Sequence, residues 1–180
     1  MTPANRKTSP RETKEDQILD AAERQLLSGG YGALSVIGIG RQLGVAANTI
    51  YWYFPSKDHL FVAALRRMSQ RIVEEKPPHN AGFVQQTKWF VDRLAEMRPV
   101  RTAMHERAQG SEVVAEFERG FQALLRQMLE GGLREHLPAA SIGDSADVIL
   151  ATIEGLLVTD KTPAQRHRIL ERLLSGLLVA

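Results

Sequence analysis

Apolar residues recur at helical spacing along nearly the whole chain, and the alternating Val/Ile/Thr-rich stretches that mark strands are absent. Between Lys14 and Leu27 the apolar positions Ile18, Leu19, Ala22, Leu26 and Leu27 form one stripe. Thr13 with Asp16 offers an N-terminal cap for this helix, and Ser28-Gly29-Gly30 offers a left-handed stop. Ser35 then caps a short second helix in which Val36, Ile39 and Leu43 face inward, with Gly44 closing it. A third short helix is predicted from Asn48 to Phe54, ended by Pro55-Ser56. A fourth runs from Lys57 to about Glu75 with Leu60, Phe61, Ala64, Leu65, Met68 and Ile72 as its stripe.

Pro77-Pro78-His79-Asn80 is the clearest break, because consecutive prolines cannot continue a helix. After it the pattern predicts one helix from Phe83 that stops before Pro99 and a shorter piece over Arg101–Ala108. Longer helices follow over Val113–His136 and about Ser145–Val158. A last one opens at Thr162-Pro163-Ala164-Gln165, where threonine and glutamine can cap each other's amides and proline takes the first helical position. The expected fold class is all-α: an N-terminal three-helix unit with a connecting helix over 14–76, and a helical domain over 77–180. Residues 1–13 are expected to form a flexible basic arm.

Composition narrows the function classes. The 180 residues are 43% hydrophobic, which suits a packed core, and no apolar run approaches the roughly 18 residues of a membrane span. No membrane partner is expected, and the N-terminus lacks the apolar core of a secretory signal. The absence of cysteine removes disulfides and thiolate metal sites and fits a cytoplasmic protein. The net charge of +2 divides unevenly: residues 1–76 hold 11 basic and 8 acidic side chains, residues 77–180 hold 12 and 13. Arg6, Lys7, Arg11 and Lys14 face only Glu12 in the N-terminal arm, a composition that reaches phosphates or merely aids solubility.

Three short helices, the second and third joined at Gly44-Val45, read as a helix-turn-helix, whose third helix lies in the major groove of DNA. Ala47, Asn48 and Tyr51 lie on the first turns of that helix, where base edges are reached. Thr49, Tyr53 and Lys57 can hold phosphate oxygens through hydroxyl, phenol and ammonium groups. Four consecutive aromatics, Tyr51-Trp52-Tyr53-Phe54, cannot all point inward at about 100° per residue. The expectation is that Trp52 and Phe54 pack while Tyr51 and Tyr53 face out.

These residues resemble the TetR family of bacterial transcriptional repressors. The likeness runs over about Ile18–Phe61, through Ile18-Leu19-Asp20-Ala21-Ala22, Gly30-Tyr31, Ser35-Val36, Ile39-Gly40, Leu43-Gly44-Val45 and Thr49-Ile50-Tyr51-Trp52-Tyr53-Phe54-Pro55-Ser56-Lys57-Asp58-His59-Leu60. The resemblance implies a ligand-responsive repressor that binds a palindromic double-stranded DNA operator as a homodimer. It implies that Ser35, Thr49, Tyr53 and Lys57 contact phosphate and that Ala47, Asn48 and Tyr51 face bases, with Ile37 offering apolar contact beside the groove. Two departures stand out. Ala46 takes the place of a usual capping serine, and Gly38 and Gly40 occupy helical positions at a cost of about 0.5–1 kcal/mol each, which predicts a loose second helix.

In the second half, Ile149, Ile153, Leu156, Leu170, Leu173, Leu174 and Leu177 are either the core of one chain or a two-fold interface, as the resemblance implies; Gly155 and Gly176 permit close helix approach. The resemblance further implies an unidentified small-molecule effector held between the helices from Phe83 to Leu133. The candidates to line its site are Trp89, Phe90, Met97, Met104, His105, Phe117 and Phe121, which suit an ordinary core equally well. No cofactor or metal is expected: the five histidines include no pair three or four apart, and no phosphate loop or nucleophile elbow is present. The chain is therefore not expected to be an enzyme. A helical protein-interaction adaptor remains the alternative from a different class.

Overall fold

The computed structural model describes residues 13–75, 77 and 81–178. Among these the chain forms nine helices and no strand: α1 (Lys14–Ala33), α2 (Val36–Leu43), α3 (Ala47–Tyr53), α4 (Lys57–Glu75), α5 (Phe83–Glu96), α6 (Arg98–Ala108), α7 (Glu112–Leu133), α8 (Ala139–Val158) and α9 (Pro163–Leu178). The fold class is all-α. Arg6, Lys7 and Arg11 of the basic arm, and most of the Pro77–Asn80 break, lie outside the described residues.

The expected caps form. Thr13 Oγ1 accepts from the Asp16 amide at 3.1 Å while Asp16 Oδ2 accepts from the Thr13 amide at 3.2 Å, so α1 opens with a reciprocal box. Thr162 and Gln165 repeat it at α9, at 2.9 and 3.3 Å. The stop at Ser28-Gly29-Gly30 appears as a break inside α1, with Gly30 at φ +62°. A Cβ on Gly30 would meet the Pro99 carbonyl at 3.0 Å, so this glycine also lets α1 lie against α6.

Three boundaries differ from the sequence reading; the first is the end of α7, which stops at Leu133, three residues short of the expected His136, as the chain turns ahead of Pro138. Pro99 does not separate helix from loop; it sits in the first turn of α6, where its missing N–H needs no partner. Helix α8 begins at Ala139, behind Pro138, six residues before Ser145, because Ala139–Asp144 carry too little apolar pattern to show a period.

One continuous core runs through the molecule. Ile18, Leu26, Ile39, Ile50, Leu60 and Phe61 are fully buried in the N-terminal part, and Leu94, Leu133, Ile149, Leu170 and Leu174 in the remainder. Each such side chain is worth about 1.5–3 kcal/mol of transfer free energy. Leu27, assigned to the α1 stripe by spacing, is instead 46% exposed, since it lies one position past the buried Leu26. Helix α6 packs on both α1 and α7 and so joins the two parts. Between α1 and α4 the buried carboxylate of Glu23 accepts from Arg67 Nε at 2.6 Å and also pairs with Arg71. A carboxylate buried this deeply is tolerable only with such partners.

Candidate nucleic-acid interface

Helices α2 and α3 are held to the core from one side only. Ser35 caps α2 by accepting from the Gly38 amide at 3.0 Å, and its own amide donates to Gln25 Oε1 of α1 at 2.7 Å. Gly44 ends α2 at φ +66°, and the Val45 amide returns to the Gly40 carbonyl at 2.9 Å. Gly40 has a packing role that the sequence does not reveal. A Cβ there would stand 2.7 Å from the Val45 carbonyl oxygen, so its cost in helix propensity accompanies a tighter turn between the two helices. Ala46 precedes α3 without a side-chain cap bond, as its methyl dictates.

The orientation of α3 follows from Ile50, which is fully buried. At about 100° per residue, Tyr53 and Phe54 return to the face of Ile50, whereas Trp52 lies about 200° away. Phe54 is accordingly buried and Tyr53 half-buried, while Trp52 is 80% exposed. This corrects the expected placement of Trp52 in the core and of Tyr53 outward. Trp52 stands edge-on to Tyr53, ring centroids 4.9 Å apart. The outer face of α3 thus carries Asn48, Thr49, Tyr51 and Trp52, with Ala47 partly covered, and Ile37 of α2 and Ser35 are exposed beside it.

At the start of α4, Lys57 Nζ lies 4.1 Å from the centre of the Tyr31 ring, and burial lowers its pKa below the usual lysine value. The Tyr31 hydroxyl donates to Asp58 Oδ1 at 2.6 Å. Burial and that bond push the Tyr31 pKa up to about 12. Arg107 of α6 donates to the same carboxylate through Nε at 2.9 Å and Nη2 at 2.8 Å, which holds Asp58 well below the ordinary carboxylate range. Residue spacing gives no sign of this set, since its members are 27 and 49 positions apart. For Trp52 the signal existed in the phase of Ile50.

The residues expected to hold an effector separate into four groups. Trp89 and Phe90 line a cavity of about 160 Å³ bounded by α4, α5, α7 and α8. Phe117 and Phe121 stack at 6.1 Å along an open groove between α4 and α7. Met97 and Met104 do not reach the cavity: they are buried where α5 meets α6 and along α6. His105 is no cavity anchor, because its side chain is exposed and meets Glu118 at 3.1 Å.

Of the residues expected at a two-fold interface, Ile149, Ile153, Leu156, Leu170 and Leu174 are already buried within the single chain. Leu173 and Leu177 are half-buried. The helical phase that turns the larger residues inward leaves Val148, Ala151, Gly155 and Val158 as the open stripe of α8, and Ile169 and Gly176 exposed on α9. Among the described residues no group of histidines and carboxylates could hold a metal ion, and no helix is long and apolar enough to cross a membrane.

Residues 18–64 match the family model for bacterial regulatory proteins of the tetR family. Over 59 residues the chain is 42% identical to the transcriptional repressor KstR of Rhodococcus jostii, a stretch that spans 33% of this chain and 28% of that repressor. A transcriptional regulator from Rhodococcus sp. Rha1 shares the fold with a TM-score of 0.78 at 19% identity, over 93% of this chain and 96% of that one. FadR of Bacillus subtilis, solved in complex with stearoyl-CoA, shares it with a TM-score of 0.64 at 23% identity, over 91% and 99% of the two chains. The helix-turn-helix of residues 18–64 is therefore that of the tetR family of bacterial regulatory proteins, set in a fold shared with transcriptional regulators of solved structure.

Proposed function

We propose that this protein is a ligand-responsive transcriptional repressor that binds a palindromic DNA operator as a homodimer. The observation that carries the reading is the outer face of α3. Asn48, Thr49, Tyr51 and Trp52 stand exposed on a helix that Ile50 and Phe54 fix to the core. A recognition helix needs a rigid inner side and a polar, aromatic outer side that can reach base edges. Ser35, Thr49, Tyr53 and Lys57 are assigned to phosphates, Ala47, Asn48 and Tyr51 to bases, and Ile37 to apolar contact at the groove edge. Trp52 joins this surface on its exposure.

Residues 14–76 act as the DNA-binding domain and 77–180 as the effector and dimerisation domain. The open stripe of Val148, Ala151, Gly155 and Val158, with Ile169, Leu173 and Gly176 of α9, is the surface assigned to the two-fold contact, which sets two recognition helices about 34–36 Å apart. The cavity beside Trp89 and Phe90 is the effector site. FadR of Bacillus subtilis, which has the same fold, was solved in complex with stearoyl-CoA. An effector that favours one placement of α6 shifts the spacing of the heads through Arg107 and Asp58, and so shifts operator affinity.

The test is a mobility-shift titration of the full chain with the palindromic DNA nearest its own coding region. Binding should weaken steeply as salt rises. Absence of binding even at low salt overturns the reading and leaves the protein-interaction adaptor.

A further inference from the structure

We infer that the cavity between α4, α5, α7 and α8 takes a neutral, single-ring compound bearing one hydroxyl, of the phenol class. The inference rests on the effector reading above and names its ligand. Three features of the cavity carry it: size, charge and the state of its polar groups.

The volume is about 160 Å³. Apolar cavities of about 150 Å³ remain dry and admit a benzene-sized molecule. A long acyl chain with its headgroup exceeds such a space and would have to extend out through its open side. The walls are aliphatic and aromatic, including Phe83, Trp89, Phe90, Leu125 and Leu129, and none of the lining residues ionises. A carboxylate or ammonium ligand would lose its hydration there without a compensating charge. The nearest buried cation on the same helix, Lys88, is engaged by Glu171 at 3.1 Å and is not among the lining residues.

Two lining groups are polar, apart from the indole of Trp89. Thr87, buried to 6% exposure, donates its hydroxyl proton to the Phe83 carbonyl at 2.8 Å. Gln86, at the rim, donates through Nε2 to the Ala81 carbonyl at 2.7 Å. Thr87 still offers only an oxygen lone pair, and Gln86 at the rim its oxygen and a second N–H, so the buried end of the site accepts a hydrogen bond from a ligand. A ring carrying an O–H satisfies the buried Thr87 oxygen, and a bare hydrocarbon leaves it without a ligand partner.

The experiment is calorimetric titration of the full chain with p-cresol, toluene, benzoate and stearoyl-CoA, with operator binding of the ligand-free chain measured on the same samples. Expected is binding of p-cresol about five- to tenfold tighter than toluene, with no benzoate binding at concentrations that saturate p-cresol. Thr87→Val should bring p-cresol and toluene within about twofold of each other, and Leu129→Phe, which fills the cavity, should abolish both with helical content unchanged. Benzoate binding as tight as p-cresol overturns the inference. So does stearoyl-CoA displacing p-cresol, or a chain that binds operator and none of the three aromatics; in that last case the regulator reading stands. Binding of p-cresol with the stated preference in a chain that binds no DNA sustains the ligand class and overturns the regulator reading instead.

Discussion

Arg107 of α6 grips Asp58 of α4 with both prongs of its guanidinium, Nε to Oδ1 at 2.9 Å and Nη2 to Oδ2 at 2.8 Å. The Tyr31 hydroxyl of α1 donates to the same carboxylate at 2.6 Å. Three helices therefore converge on one residue, next in sequence to Lys57. A displacement of α6 must either carry the start of α4 with it or break this set, which makes the contact a mechanical link between α6, which packs on α7, and the helix that follows α3.

Neutralising the carboxylate should be felt in stability. Asp58→Asn keeps the shape but weakens two charge-assisted bonds and one from a phenol, a loss on the order of 2 kcal/mol. For a chain of this length that corresponds to a fall in Tm of about 4–8 °C, read by circular dichroism at pH 7. A change within about 1 °C would show that the pair is a solvated contact with no hold on α4.

The same pair predicts a pH signature. Asp58 titrates below its unfolded value of about 4, so its contribution is present in full above that pH and is lost as pH falls through the lower folded value. Tyr31 is raised to about 12 from an unfolded value near 10, so its contribution holds below pH 10 and disappears as pH rises towards 12. The Tm difference between the natural chain and Asp58→Asn should therefore be flat from about pH 5 to 9 and shrink in acid. A difference that grows as pH falls below 4 would contradict the assignment.

Much of this architecture was legible because local rules agree with the global fold. The capping boxes at Thr13 and Thr162, the stop at Gly29-Gly30 and the turn at Gly44 each combine a residue type with a position, and each appears where the sequence puts it. The recognition helix was legible in place but not in rotation. Four aromatics in a row give no periodicity, and only the neighbouring Ile50 fixes which of them turn outward. Leucine richness in α9 likewise could not tell core from interface: Leu170 and Leu174 are fully buried by their own chain, and the exposed stripe on α8 (Val148, Ala151, Gly155 and Val158) contains no leucine or isoleucine. The Tyr31–Asp58–Arg107 set was invisible, because contacts between distant positions leave no spacing to read.

The stripe on α8 makes a prediction about assembly. Val148, Ala151, Gly155 and Val158 are exposed in the single chain, and a Cβ added to Gly155 would meet nothing within 4 Å. Gly155→Arg should thus leave the chain folded but place a cation in the two-fold contact. Sedimentation equilibrium is expected to give twice 20.0 kDa for the natural chain and 20.0 kDa for the variant, with unchanged helical content. Equal masses for both would remove α8 from the interface.

Trp52 supplies both a reporter and a control for the recognition surface. It is 80% exposed, so operator DNA closing over α3 should quench or shift its emission, whereas Trp89 sits at the cavity and should not respond to DNA. Against that readout, Lys57→Ala removes one cation per subunit. It should weaken binding to every sequence alike and lower the salt slope by about 1 for each recognition helix engaged. The variant also uncovers the Tyr31 ring, so a small loss of stability accompanies it. Tyr51→Ala acts differently: the side chain is 43% exposed, so Tm should hold while operator affinity falls by about 1–3 kcal/mol per half-site and discrimination between sequences relaxes. Unchanged affinity in both variants, with Trp52 emission still responding to DNA, would move the recognition surface away from the first turns of α3.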